Sequence, residues 1–486
     1  MKKISLYFCI TLGAIAMGCG DFGSTNVSPN ASTTPLTSGL LTNSLISIGG
    51  TTASTLPGLY AQYFSETLYT DASRYSVQDI NWSNDLAGNG DAGAGMIDLV
   101  NIIKINTDPK TAPTAALQGS NNNQIAIARI IKAYRFSILT DRYGDMPYFE
   151  ALTEKTQPVF DSQQAIYTDL FKELTQAVAQ FDNGSAVQGD ILFNGDVTKW
   201  KKFANSWRFI LAVRISKADA ALAGVQAKAA LASDGGVLSS NADNIGITYP
   251  GNSAGFSNPW LSIAGDFNVC TTIANLVTTT LDDRRFAYGK AVGGVLTGVP
   301  PGLPRQAAID YTSAPANSNH SLILDDIYRD KVGTVYVLTY ADMALARAEA
   351  AELGLILGGV TEANTQYSAG IAASWQRWSQ NNAANLATYQ ARTDVSLAAA
   401  GSRMNKINLQ RWLSFYPNGQ QGWSEWRRTG IPALTPSPSP VNTSGQIPVR
   451  YIYPTREYGL NLANITAAVA GLSKGDTQDT KVWWNK

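Results

Sequence analysis

Apolar residues recur at helical spacing along most of this chain, and the pattern predicts a mainly helical protein. The clearest case is the segment 121–140, in which Ile127, Ile131 and Ile138 fall on one helical face. The same periodicity predicts a helix that begins at Asp161–Ser162. It also predicts helices over residues 196–217, 219–232, 270–281, 335–353, 362–379 and 403–416.

Strand patterns are few and short, at residues 247–249 and 447–454. Paired helices joined by short turns predict an all-α fold of tetratricopeptide-like helical hairpins, although no strict repeat is present. Long insertions rich in Gly, Ser, Asn and Pro interrupt the pairs near residues 233–270, 289–322 and 429–448. Loops of that length usually line a binding site or an interface.

The N-terminus has the pattern of a signal peptide. Two lysines precede an apolar run at residues 4–17, and Cys19 follows directly after a glycine. The run is shorter than the roughly 20 residues that span a bilayer and fits the apolar region of a signal peptide. A cysteine at the cleavage point, followed by polar residues, is typical of a bacterial lipoprotein whose Cys19 thiol is lipidated. The alternative is an ordinary secretory signal.

This interpretation divides the chain into a signal peptide (residues 1–18), a flexible polar tether (19–38) and a single helical domain (39–486). Each buried methylene adds about 0.8 kcal/mol of membrane affinity, so two or three acyl chains on Cys19, palmitate among them, anchor the protein stably. Cleavage removes Cys9, so Cys270 is the only cysteine without lipid in the mature chain, and its apolar neighbours predict a buried side chain and not a nucleophile.

Composition narrows the function classes. The chain has 37 basic and 37 acidic residues, and two of the lysines lie in the signal peptide, so the remainder has a net charge of −2. A nearly neutral chain has no electrostatic footprint for nucleic acid. His320 is the only histidine, which excludes histidine-based metal sites and leaves a Ser-His-Asp triad one possible base.

Five sequence blocks contain motifs that occur together in one known family. In chain order they are DFGSTNVSPNAST (21–33), QYFSETLYTDASRYS (62–76), LTDRYGDMPYFEAL (139–152), KWKKFANSWRFILAVRIS (199–216) and INLQRWLSFYPNGQQGWSEWRRTGIPAL (407–434). These blocks resemble the SusD/RagB family of outer-membrane nutrient-binding lipoproteins, in its SusD-like_2 branch, and they cover nearly the whole mature chain.

The resemblance implies four tetratricopeptide-like helical pairs and an irregular face that binds the ligand. It implies a lipid-anchored protein on the cell surface of the outer membrane. Such a protein captures a glycan, or a peptide, and delivers it to a SusC-like TonB-dependent transporter. On this hypothesis the chain is not an enzyme, needs no metal or other cofactor, and contacts the membrane only through its lipid.

Two charged motifs have both a structural and a chemical interpretation. The block DRYGDMPY resembles a calcium loop, but it lacks the further oxygen ligands of an EF-hand, and Asp141 and Gly144 fit the end of a helix better. In WSEWRR, Glu425 lies three residues before Arg428, so packing with internal charge pairing is favoured over catalysis. Residues 282–285 (DDRR) are likewise expected to neutralise one another.

Aromatic side chains outside the predicted helices are the candidate ligand-binding residues. Sugar C–H faces stack on aromatic rings, while Asn and Asp bind the hydroxyls. The segments RYSVQDINWSND and GFSNPWLSIAGDF provide the candidates Tyr75, Trp82, Asn84, Phe256, Trp260 and Asp266. Trp260 has an alternative role as a wedge between a loop and the body. Trp207, on the inner face of a periodic helix, is predicted to be core.

Three functions remain open on sequence alone. The leading hypothesis is the surface nutrient-binding lipoprotein. The second is a glycan-degrading enzyme, which needs two carboxylates about 5–9.5 Å apart across a cleft. The third is a helical-repeat scaffold that binds another protein.

Overall fold

The computed structural model describes residues 35–88, 94–253, 256–263 and 265–486. Cys19, the predicted signal peptide and most of the predicted tether lie outside the described residues. Thr37–Lys486 form one compact unit. Within the described ranges, no helix has both the length and the apolarity that crossing a bilayer requires.

Helices dominate the described residues. In the first part of the chain they are α1 (Thr37–Thr52), α2 (Thr55–Tyr60), α3 (Ser83–Ala87), α4 (Ile97–Thr107), α5 (Ala112–Ala115), α6 (Asn121–Tyr143), α7 (Gln163–Gln180), α8 (Val197–Arg214), α9 (Ala220–Ala232) and α10 (Pro259–Ile263). In the second part they are α11 (Thr271–Thr279), α12 (Arg285–Tyr288), α13 (Arg305–Ser313), α14 (Asp326–Arg329), α15 (Tyr340–Glu352), α16 (Gly359–Arg377), α17 (Ala383–Ala391), α18 (Arg403–Phe415), α19 (Gly419–Thr429), α20 (Thr455–Leu460) and α21 (Leu462–Ala470).

Four helical pairs form the frame of the molecule. Helix α6 packs against α7, α8 against α9, α15 against α16, and α18 against α19. Contacts between α7 and α8, between α8 and α15, and between α15 and α18 join successive pairs. This arrangement confirms the predicted all-α fold of tetratricopeptide-like hairpins with long irregular loops.

Two small antiparallel sheets organise the loops between the helices. In the first sheet, β1 (Phe64–Glu66) pairs with β3 (Phe267–Val269), with Phe64 opposite Val269 and Glu66 opposite Phe267. In the second, β2 (Ile245–Thr248) pairs with β4 (Thr334–Leu338). Because β1 follows α2 and β3 follows α10, the first sheet brings together loops that are about 200 residues apart in the chain.

Side-chain caps explain where the long helices begin. Ser120, Ser162 and Asp196 each accept backbone N–H groups two or three residues further on, which satisfies donors that the first helical turn leaves open. Helix α6 ends at Tyr143 because Gly144 turns the chain at a φ of 79°. The structure thus confirms that DRYGDMPY contains a helix end.

Large aromatic side chains fill much of the core. Trp207 is buried, as predicted, with its ring centroid 4.8 Å from that of Tyr134. Its indole N–H donates to Ser137 Oγ at 3.1 Å, so the polar edge of the ring is also satisfied. Trp423 and Cys270 are buried as well, and the burial of Cys270 confirms the predicted buried side chain.

Two predictions about elements are wrong. The helix predicted over residues 335–353 begins only at Tyr340, because the preceding residues pair as β4. The strand predicted at residues 447–454 is irregular, since its backbone donates to two separate parts of the chain, from Val449 to the carbonyl of Gln478 at 2.9 Å and from Tyr451 to that of Arg142 at 2.8 Å. Arg450 is buried there and donates to Asp476 at 2.7 Å.

Candidate functional site

Three loops meet beside the β1–β3 sheet and form the candidate binding surface. The Asp266 carboxylate accepts backbone N–H groups from the first loop. The Asn258 side chain joins the second loop to the third, because it donates to the carbonyl oxygens of Tyr328 and Asp330, both at 3.1 Å. The three loops are residues 67–73, 256–263 and 327–333.

Exposed apolar side chains concentrate on these loops. Tyr69 exposes 80% of its surface, which is unusual for an aromatic ring in a folded protein. A group of exposed apolar residues on adjoining loops is characteristic of a binding surface. We call this group the loop platform, and it consists of Leu68, Tyr69, Phe256, Leu261, Ile327 and Val332.

Asp266 fixes the loop that presents Tyr69. Its Oδ1 accepts the backbone N–H of Thr67 at 2.9 Å and that of Leu68 at 2.5 Å. Its Oδ2 accepts the N–H of Tyr69 at 3.2 Å. Charge-assisted bonds to successive amides are stronger than neutral ones, so this carboxylate holds the backbone of the loop in one shape. Asp266 therefore positions Tyr69, and its own oxygens are already occupied.

Charged side chains surround the loop platform. Asp71, Asp330 and Lys331 are exposed and belong to the same loops. Arg74 lies 3.8 Å from Asp71, at the end of the first loop. An open apolar surface with a few polar groups around it can stack a sugar ring and bind its hydroxyls.

Two of the candidate aromatic residues are buried, whereas aromatic side chains outside the predicted helices were expected to be free of the core. Tyr75 is buried, and its hydroxyl accepts the backbone N–H of Ser437 at 2.8 Å. Trp82 is also buried and donates from its indole nitrogen to Glu457 Oε1 at 3.0 Å. Both rings fold onto the body because it offers a partner for their polar atom as well as apolar contacts. Neither presents a face to a ligand.

Trp260 adopts the wedge role that was its alternative interpretation. It is 2% exposed, and its ring centroid lies 6.0 Å from that of Phe64, so it fastens helix α10 to the β1–β3 sheet. Phe256 in the same loop is exposed, as a ligand-binding residue must be. Asn84 is exposed in α3, outside the loop platform. The roles of Phe256 and Asn84 in binding stay predictions.

Sequence reasoning missed Tyr69. It lies in the block QYFSETLYTDASRYS, in which only Tyr75 was a candidate ligand-binding residue. The Leu68–Tyr69 pair has threonines on both sides and lies outside any helical period, and this pattern could have indicated it. No local sequence pattern predicts that Leu261, Ile327 and Val332 are exposed, because their exposure depends on hydrogen bonds between loops that are far apart in sequence.

Two cavities in the described part of the chain are too small for a sugar ring. The cavity beside Trp260 and Arg377 leaves about 20 Å³ for the centre of a water-sized molecule, and that beside Lys202 and Asp243 leaves about 80 Å³. Such spaces hold one or a few waters. These cavities do not compete with the open loop platform as a site for an oligosaccharide.

The charged residues of the WSEWRR motif form a buried ion-pair network, as predicted. Glu425 lies 2.7 Å from Arg428 and 3.1 Å from Arg411, and Glu349 of α15 pairs with both arginines. Burial acts to raise the pKa of Glu425, but Arg411 and Arg428 outweigh it and lower that pKa below its usual value. A carboxylate kept ionised in this way is a structural anchor and a poor proton donor.

Asp141 of the DRYGDMPY block also has a structural role. It pairs with Arg214, and its Oδ1 accepts the Tyr167 hydroxyl at 2.6 Å and the Trp484 indole N–H at 2.8 Å. Charged residues 282–285 pair with one another, as expected. Among the residues that the structure describes, no group of three or more His, Cys, Asp or Glu side chains is arranged to hold a metal ion.

The helical pairs and the loop face define a class of protein in which a rigid all-α frame supports an irregular surface. The sequence matches the SusD-like_2 family, described as "Starch-binding associating with outer membrane", over residues 29–454. This match covers most of the chain, and the chain therefore belongs to the SusD-like_2 family. No curated protein matches the sequence.

Solved structures share the fold over nearly their whole length. A chitin-binding protein is 28% identical with a TM-score of 0.78, covering 92% of this chain and 99% of that chain. A SusD homolog from Bacteroides uniformis is 25% identical with a TM-score of 0.75, covering 93% and 98%. A chitin-binding SusD homolog from Flavobacterium johnsoniae is 22% identical with a TM-score of 0.72, covering 93% and 98%, and at that identity it indicates the fold alone.

Proposed function

We propose that this protein is a lipid-anchored, surface-exposed nutrient-binding protein of the outer membrane. It captures an oligosaccharide and delivers it to a SusC-like TonB-dependent transporter. The observation that favours capture is the loop platform, where an exposed tyrosine and exposed apolar side chains adjoin charged groups on a fixed backbone. Family membership favours association with the outer membrane.

The proposed mechanism is stacking without chemistry. The Tyr69 ring lies against the C–H face of a sugar residue, and Phe256 contacts the next unit. Asp71, Asp330 and Lys331 hydrogen-bond to hydroxyl groups around the rings. Stacking contributes roughly 1 kcal/mol beyond the burial of area, so several weak contacts along an oligosaccharide are needed for useful affinity.

The first ligand class to test is a chitin-type oligosaccharide. The solved relative that is 28% identical is a chitin-binding protein. Sugars of this type carry acetamido groups, whose methyl group suits apolar neighbours such as Leu261 and whose amide suits exposed polar groups. Starch-type oligosaccharides are the second class, because the family description names starch.

Titration calorimetry with chitohexaose and with maltoheptaose tests the proposal. We expect wild-type protein to bind one of them and Tyr69→Ala to bind it several-fold more weakly. Tyr458→Ala is the matched control, since Tyr458 is an exposed tyrosine in α20, outside the loop platform. Equal losses in both variants would contradict a site at Tyr69. Release of reducing sugar from either ligand would favour the enzyme hypothesis over capture.

A further inference from the structure

A second carboxylate holds the other end of the loop that presents Tyr69. Glu66, the last residue of β1, is 5% exposed, and its Oε2 accepts the backbone N–H of Ser73 at 2.9 Å. Asp266 binds the start of the same loop through Thr67, Leu68 and Tyr69. Residues 67–73, which we call the Tyr69 loop, are thus fixed at both ends by acidic side chains.

The charged groups near Glu66 are mainly acidic. In the described ranges of the chain, no salt bridge joins Glu66 to a basic side chain. The groups that act on it are the carboxylates of Asp266 and Asp71 and the buried phenol of Tyr60 in α2. Arg74, the nearest basic residue in the chain, is directed to Asp71 and to a backbone carbonyl.

We propose that Glu66 is a positioning residue for Tyr69, and that its protonation keeps the Tyr69 loop closed so that ligand capture weakens as the pH rises. The link between the loop and ligand capture rests on the proposed function, whereas the effect of Glu66 on the loop does not. The Glu66 carboxyl group is buried with the loop in its observed conformation, and in our proposal opening of the loop exposes this group to water. A buried carboxyl group without a cation is more stable in its neutral form, so ionisation favours the open loop.

The pH range follows from the burial of Glu66. Burial raises the pKa of Glu66 from its usual 4.5 to about 7, with the Ser73 hydrogen bonds opposing the shift and Asp266 and Asp71 adding to it. Between pH 4.5 and about pH 7, the Glu66 carboxyl group is protonated in the closed loop and ionised in the open, hydrated loop. The stability of the closed form is therefore complete below about pH 4.5 and declines as the pH rises through about 7.

Hydrogen exchange of the full-length protein tests the loop without any ligand. Amide exchange in residues 67–73 is measured from about pH 5 to about pH 8.5 and corrected for the intrinsic pH dependence of exchange. In wild-type protein we expect protection to fall by roughly two orders of magnitude over this range, as the shift of the Glu66 pKa from 4.5 to about 7 requires. In Glu66→Gln, whose side chain cannot ionise, we expect protection to stay constant. Glu154→Gln removes an exposed carboxylate outside the Tyr69 loop and should keep the wild-type decline.

Identical profiles in wild-type protein and Glu66→Gln would overturn the proposal. If Glu66→Gln does not fold, as judged by circular dichroism, Glu66→Met supplies a second neutral side chain of similar length, and the same comparison applies. Chitohexaose or maltoheptaose binding over the same pH range then connects the loop to capture. Pronounced weakening in wild-type protein with a flat profile in Glu66→Gln supports the proposal.

The two proposals fail in distinguishable ways. If exchange depends on Glu66 but neither sugar binds, the loop mechanism stands and the ligand assignment fails. If a sugar binds with the same pH profile in wild-type protein and in Glu66→Gln, capture stands and the role of Glu66 is refuted.

Discussion

Single aromatic residues show how far local pattern can be trusted in this protein. Trp207 was predicted to be core from helical period, and it is. Trp260 lies in a segment with Gly, Asn and Pro neighbours, where no period applies, and it is equally buried. Its burial comes from contacts with Phe64, about 200 residues away in the chain, which no local pattern contains. Tyr69 is the opposite case, because only the folded loop shows that its ring is free.

We therefore expect Trp260→Ala to be as destabilising as Trp207→Ala. Each should lower the free energy of unfolding by about 3–5 kcal/mol, because each leaves a large cavity in a close-packed core. Urea denaturation followed by circular dichroism measures the difference. Phe256→Ala, an exposed residue of the same loop, is the control and should change stability by no more than about 0.5 kcal/mol. A near-native Trp260→Ala protein would show that α10 is not fastened by this ring.

At the scale of elements, the helical pairs were predictable and the loops were not. In the long helices, the capping residues, the apolar periodicity and the terminal glycines all indicate the same element. Each long helix is therefore predictable from its own sequence. Helix α1, with its many Ser, Thr and Gly residues, lacked that agreement and was missed. The strands of both sheets are three to five residues long and pair across large separations, which local patterns do not report. The site lies on these elements, which is why its position was only partly predicted.

The buried ion pairs between α15, α18 and α19 give a prediction at this scale. Glu425→Gln leaves Arg411 and Arg428 with Glu349 as their only carboxylate, in the core. We expect a loss of about 3–5 kcal/mol in the free energy of unfolding near pH 7, measured in urea. Asp394→Ala removes an exposed partner of Arg392 and should cost no more than about 1 kcal/mol.

The pH dependence of that loss has a definite sign. The pKa of Glu425 is lowered in the folded protein, so its contribution to stability is present above its usual pKa of 4.5. It disappears as the pH falls through the lower folded pKa. The difference in stability between wild-type protein and Glu425→Gln should therefore shrink in acid, and a difference that grows in acid would contradict an ionised Glu425.

At the scale of the whole molecule, the proposed function separates anchoring from capture. Anchoring depends on Cys19, which lies outside the described residues. We expect Cys19→Ala to be exported and to leave the membrane fraction, since the acyl chains on Cys19 are the proposed membrane anchor. Fractionation of cells that express each form measures this. Ser24→Ala, in the predicted tether, is the control, and membrane retention of Cys19→Ala after a high-salt wash would contradict lipid anchoring.

A mutation that weakens ligand capture should leave association with the proposed transporter unchanged. The four helical pairs form a frame that does not include the Tyr69 loop, so a change at the tip of that loop leaves the rest of the surface unaltered. We expect Tyr69→Ala and wild-type protein to copurify equally with the proposed transporter, while uptake of the bound oligosaccharide by the variant falls several-fold at limiting concentration and recovers at saturation. Uptake is measured with a labelled oligosaccharide in whole cells. Loss of the transporter from Tyr69→Ala preparations would instead place the loop platform in the protein–protein interface. Capture and assembly would then share one surface, and Tyr69 would be a contact to the partner.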